Sequence, residues 1–145
     1  MAKNRGTRKM LVHNFYLVNK EFLEKNTDNI SPKALNKEKS VSVEDDIILF
    51  IWETMKWIQT QNYAHKKMWG LNYDGMTIIP FEEIQVLKHL IKTWIVMFSF
   101  APSLLTISKT KEGIRKEVLN EELNAFVALL DEALNTNSLI VHIGI

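Results

Sequence analysis

Apolar side chains recur along the chain at spacings that name its elements. Leu11, Phe15, Val18 and Phe22 fall three or four residues apart, which predicts a helix over residues 9–25. Residues 26–41 are rich in Asn, Lys and Ser and carry Pro32, so they read as a long exposed connection. Ser42 and Asp45 make a capping-box-like pair, and Glu44 and Asp46 suit the positive end of a helix dipole. A helix is therefore expected from Ser42 to about Gln61, with Ile47, Ile48, Ile51, Met55 and Ile58 as its core stripe. Asp74-Gly75 lies between two β-prone runs, and predicts a hairpin over Trp69–Ile79 because both residues tolerate positive φ. Pro80 then opens a helix over residues 81–100. Ile84, Leu87, Ile91, Trp94, Ile95 and Phe98 line its wide apolar face, and Ala101-Pro102-Ser103 ends it.

Residues 104–118 have two readings. Leu104–Ser108 and Ile114–Val118 are hairpin strands turning at Gly113, or the second run extends the helix that follows. Asn120 is the expected N-cap of that helix, whose stripe is Leu123, Phe126, Val127, Leu130 and Leu134. The short, nearly continuous apolar run Leu139–Ile143 reads as a strand buried on both faces. The sum is an α+β domain spanning residues 1–145. Three or four helices pack on a small sheet containing the hairpin and a C-terminal strand. Leu123, Phe126, Leu130, Ile140 and Val141 should all be buried.

Composition agrees with that picture. A chain of 145 residues, 46% hydrophobic and 24% charged, can bury a core without a metal or disulfide. The absence of cysteine removes thiolate nucleophiles, zinc–thiolate sites and iron–sulfur clusters, and fits a reducing compartment. A net charge of +1 gives no global field toward nucleic acid or an anionic membrane. The basic start, Lys3, Arg5, Arg8 and Lys9 before Met10–Val12, imitates a signal peptide. It is broken by His13 and Asn14 and has no small-residue cleavage site, so it reads as mature protein. The uncharged stretch Thr93–Ser108 contains Pro102 and is shorter than a membrane span of about 18–20 residues. A cytoplasmic location is expected.

Catalytic patterns are missing. The glycines are isolated, and there is no phosphate loop, no H-E-x-x-H helix and no serine elbow. His13, His65, His89 and His142 are scattered, without a ligand or base partner at helical or strand spacing. Asp45-Asp46 and Glu82-Glu83 stand at helix starts, where the dipole explains them. The cluster His65-Lys66-Lys67 beside Tyr63 and Trp69 has the residue types of a base-stacking surface, but reads as a solvated loop. No enzyme activity, cofactor, metal, membrane or nucleic-acid partner is expected.

One pattern points to binding. Asp46, Phe50, Glu53 and Trp57 fall at i, i+4, i+7 and i+11, a second stripe beside the isoleucine face. Aromatic anchors among charges are the composition of a protein interface, and these carboxylates would suit a basic partner.

The Trp69–Ile79 hairpin leading into an amphipathic helix, together with the closing apolar strand, resembles the small cysteine-free immunity proteins of bacterial toxin–immunity systems. The likeness covers the second half of the chain and carries no residue roles. It implies a non-enzymatic domain that binds and neutralises a cognate toxin; the spacing, not the likeness, offers Asp46, Phe50, Glu53 and Trp57 as the contact stripe, and their carboxylates suit a basic toxin. Two other classes stay open. One is a small enzyme or ligand-binding domain with a pocket of Trp52, Trp57, Tyr63, Trp69 and Tyr73, served by His142 or His65. The other is a structural or regulatory subunit acting through oligomer contacts.

Overall fold

A computed structural model describes residues 11–26, 30–36, 38–106 and 113–145. The basic start, residues 1–10, lies outside them, as do residues 107–112. The described elements run β1 (Val12–Val18), α1 (Lys20–Lys25), α2 (Pro32–Leu35), β2 (Ser40–Glu44), α3 (Asp45–Met55), β3 (Gln59–Gln61), β4 (Lys67–Trp69), β5 (Met76–Ile79), α4 (Phe81–Phe98), β6 (Leu104–Leu105), β7 (Ile114–Arg115), α5 (Lys116–Asn135) and β8 (Leu139–Ile143). The class is α+β, with a six-stranded sheet in the order β2-β1-β8-β5-β3-β4 and a small β6-β7 pair. Among the described residues each strand pairing is antiparallel.

The sheet is larger than expected because the first segment is a strand. Residues 12–18 were expected to be helical, yet β1 pairs with β2 on one side and β8 on the other. Its side chains alternate: His13 and Phe15 enter one layer, while Tyr16 and Val18 enter the other. A central strand covered on both faces takes apolar residues at nearly every position, so its pattern imitates a helix, and long-range pairing decides. Only Lys20–Lys25 is helical, capped by the Asn19 side chain, which accepts from the Phe22 N–H at 2.8 Å.

The connection expected to be exposed is partly core. Within it Ser31 caps α2, and α2 seats Leu35, fully buried, against Val18, Ile78, Leu139 and Val141. Helices α1 and α2 thus cover one face of the sheet. The other face carries the main core, where α3, α4 and α5 bring Ile47, Ile51, Ile84, Leu87, Leu123 and Phe126 onto Phe15, Val43 and Ile140. Phe15 and Phe126 meet with ring centroids 4.2 Å apart. The expected core residues Leu123, Phe126, Leu130, Ile140 and Val141 are all fully buried.

Three further expectations need correction. The helix expected over Ser42–Gln61 is α3 alone: residues 42–44 are drawn into pairing with β1, and Gln59–Gln61 join the sheet as β3. Glu44, not Ser42, occupies the N-cap. The Trp69–Ile79 segment does turn at Tyr73–Gly75, but β4 and β5 do not pair with each other; β3 lies between them. The chain bends away at Gly70, whose φ of +78° brings its backbone against Lys56. The turn is closed by Asn72, whose N–H donates to Thr77 Oγ1 at 2.7 Å and whose side chain donates to the Met76 carbonyl at 2.8 Å. At Gly144 a Cβ would run into the Tyr73 carbonyl, so the chain end can lie against this turn only without a side chain.

Asn120 is not the N-cap of the long helix. Residues 104–105 and 114–115 pair as β6 and β7, and α5 starts at Lys116. The Lys116 ammonium donates to the carbonyls of Ser99 (2.8 Å) and Ala101 (2.9 Å), tying the start of α5 to the end of α4. Among the described residues no helix is long and apolar enough to cross a membrane.

Leu130 tests the α5 contact. Leu130→Ala should lower unfolding free energy by about 2–5 kcal/mol in a urea titration. A loss well below about 1 kcal/mol would place α5 outside the main core.

Candidate functional site

Two groups of side chains stand out once the sheet is formed. The first is buried. His13 on β1 and His142 on β8 lie on the same sheet face, and both are fully inaccessible. Their rings stack at 5.1 Å, with His13 Nδ1 2.9 Å from His142 Nε2. His13 Nε2 reaches Asp45 Oδ1 at 2.9 Å, and the Tyr73 hydroxyl donates to Asp45 Oδ2 at 2.6 Å. His142 Nδ1 lies 3.3 Å from Thr77 Oγ1.

One direction of donation satisfies the whole chain of groups. Thr77 O–H donates to His142 Nδ1, His142 Nε2–H to His13 Nδ1, and His13 Nε2–H to the Asp45 carboxylate. Burial, then the nearby His13, pushes the His142 pKa down from 6.5 to about 3. Burial, then the bond to Asp45, pushes Tyr73 up to about 12. Every ring nitrogen is engaged within the protein, so neither imidazole offers a nitrogen to a substrate. What the arrangement does is join β1, β5, β8, the start of α3 and the Tyr73 turn. Sequence spacing missed it because the partners are far apart in the chain. The readable signal was His142, flanked by Val141 and Ile143 in the closing strand; His13, between Val12 and Asn14, carried none.

The second group is exposed. α3 ends at Met55, so the helical stripe expected to include Trp57 divides. Asp46 is half-buried in the first turn. Phe50 is half-buried too, edge-on to Phe98 at 5.9 Å, and Phe98 stacks on Trp94. Glu53 is exposed and pairs with Lys56 at 3.0 Å. Trp57 lies in the turn beyond the helix and is 64% exposed.

Trp57 has company that periodicity along one helix does not reveal. The Gly70 N–H donates to the Ile58 carbonyl at 3.0 Å, and Trp69 pairs across from Gln59. Trp69, 62% exposed, therefore stands on the strand alongside the Trp57 turn, and Tyr63, 68% exposed, sits at the tip of the β3–β4 hairpin. The Asn62 side chain pins that tip by accepting from the N–H groups of Ala64 (2.9 Å) and Lys66 (3.0 Å). Exposure this high is that of an outer surface, not of a pocket wall. Of the residues expected to share a pocket, Trp52 and Tyr73 pack together at 5.6 Å while the other three face solvent. Among the described residues no group of three or more His, Asp or Glu is placed to hold a metal.

A carboxylate contact joins α5 to the end of β2. Glu122 accepts from the Glu44 N–H at 2.7 Å. Burial, with the neighbouring Glu44 carboxylate, raises the Glu122 pKa from 4.5 to about 7.

The two shifts have opposite consequences for stability. Unfolded His142 takes up a proton below about pH 6.5 that the folded chain refuses, so its contribution is lost as pH falls toward about 3. Folded Glu122 keeps a proton that the unfolded chain releases above about pH 4.5, so its contribution is lost as pH rises through about 7. In thermal melts across this range, Glu122→Gln should gain on the parent as pH rises. The deficit of His142→Gln should shrink as pH falls. Melting curves that stay parallel to the parent at every pH would contradict both assignments.

No protein-family model matches the chain, and neither does any curated protein or solved structure.

Proposed function

We propose that the chain is a non-enzymatic protein-binding domain and, following its resemblance to immunity proteins, one that occupies and neutralises a cognate toxin. The observation that carries this reading is the trio Trp57, Tyr63 and Trp69, each more than 60% exposed at one end of the sheet. Large aromatics held in water by a folded frame lose little freedom when a partner covers them, and they supply the desolvated anchors of protein interfaces. The carboxylates of the expected stripe contribute less. Asp46 is half-buried and Glu53 is already paired with Lys56, so the aromatics rather than the acids define the surface.

The test starts with a photo-crosslinking amino acid at position 63 in cells of the source organism, followed by identification of the protein joined to it. Purified partner is then titrated against the parent and single variants checked for folding by circular dichroism. Trp57→Ala and Trp69→Ala should each weaken binding by about 2 kcal/mol or more, mainly by faster dissociation. Glu53→Gln should change affinity by less than about 1 kcal/mol. Unchanged affinity in both tryptophan variants would place the interface elsewhere. Co-expression with the partner then asks about neutralisation. A complex that forms without relieving toxicity would remove the toxin reading and leave the binding one.

A further inference from the structure

Among the described residues β4 is the terminal strand of the sheet and pairs only with β3. The direction of its backbone can be read from the flanking bonds. The Lys66 carbonyl accepts from the Asn62 N–H at 3.0 Å, and the Gly70 N–H donates to Ile58, both toward β3. Backbone groups alternate sides along a strand, so Met68 also faces β3, while Lys67 and Trp69 turn their N–H and C=O groups outward. The side chains of these two residues stand on one face of the strand, directly across from Gln61 and Gln59.

The chain segment that forms this edge is basic. Residues 54–73 contain no Asp or Glu and carry Lys56, His65, Lys66 and Lys67. Glu53 is paired with Lys56, and Glu83, at the start of α4, accepts from the Gln59 N–H at 2.7 Å. Lys66 and Lys67 make no ion pair among the described residues. Lysines on an edge strand discourage a second copy of the same chain from pairing there, since the two sets of ammonium groups would be brought together. The same charges attract carboxylates.

We infer that β4 is the docking edge for an extended, acidic peptide segment, which adds to the sheet as a seventh strand beside Lys67 and Trp69. The inference rests on the protein-binding reading and specifies the chemistry of the partner. Main-chain bonds to Lys67 and Trp69 supply register, Lys66 and Lys67 select carboxylates, and Trp69 with Tyr63 receives the apolar side chains of the added strand.

The experiment pans a phage library of random peptides, roughly twelve residues long and so longer than an ordinary strand, against the immobilised full chain. Enriched sequences should place Asp or Glu two residues from a β-branched or aromatic residue, so that both fall on the face that carries Lys67 and Trp69. A synthetic peptide from that pool should slow amide hydrogen exchange at Lys67 and Trp69 by about tenfold or more. It should lose about tenfold in affinity to Lys67→Pro, which removes an outward N–H, and less to Lys67→Gln, which keeps it. Several outcomes overturn the inference. These are no enrichment over a control protein, enrichment of basic or uncharged peptides, and binding without added protection at Lys67 and Trp69. Concentration-dependent dimerisation that protects the same two amides would assign the edge to a second copy. Tighter competition by oligothymidylate would assign it to single-stranded nucleic acid. Peptides that depend on Trp57 but leave the Lys67 and Trp69 amides exchanging freely would sink strand addition alone and leave the protein-binding reading standing.

Discussion

The placement of β8 between β1 and β5 is the constraint on which the rest of the structure depends. Both of its edges are hydrogen-bonded and four of its five residues are buried, so it is the seam that joins the two halves of the sheet. Ile140 faces the core under α3, α4 and α5, while Leu139 and Val141 face α1 and α2. One strand thus belongs to both hydrophobic layers. His142, one residue further on, brings a polar ring into the main layer. The ring is tolerated because its two nitrogens find Thr77 and His13, and His13 in turn finds Asp45.

That seam leaves the far end of the sheet comparatively open. β3 and β4 have three residues each, and beyond β5 one face of the sheet carries Gln59, Gln61, Lys67 and Trp69. The hairpin is nonetheless held. Asn62 accepts two backbone N–H groups at its tip, His65 adopts a φ of 61°, and Thr60, fully buried, donates to the Gly70 carbonyl at 2.6 Å. Exposed aromatic rings on a pinned hairpin are already near one geometry. Less ordering entropy then opposes a contact made there than on a loose loop.

Much of this was legible in the residues. The stripes of α3, α4 and α5, the closing strand and the buried set around Leu130 follow from spacing alone, because each of those segments buries one face or both in a regular way. β1 was not legible as a strand, since Leu11, Phe15, Val18 and Phe22 satisfy helical spacing and the strand's partners, β2 and β8, are remote in sequence. Asp74-Gly75 marked a turn correctly. What it could not reveal is that Gly70 sends the preceding strand to the far side of β3. Of the candidate site, Trp57 was found through its spacing from Phe50, while Trp69 and Tyr63 join it only through the β3–β4 pairing. The histidine–aspartate chain lay wholly beyond local pattern, because three strands, a helix start and the Tyr73 turn had to meet before its members became neighbours.

The register of β1 against β8 also settles how the molecule bears mechanical load. The strands are antiparallel, with Asn14 opposite Ile143 and Val18 opposite Leu139. The start of β1 and the finish of β8 therefore lie side by side at one end of the sheet. Tension drawn through those two points runs along the interstrand hydrogen bonds, which stand perpendicular to the strands. It opens them one after another, as a zipper opens, instead of shearing all of them at once. The element that anchors both layers is thus the first to part when the chain is pulled from those two points.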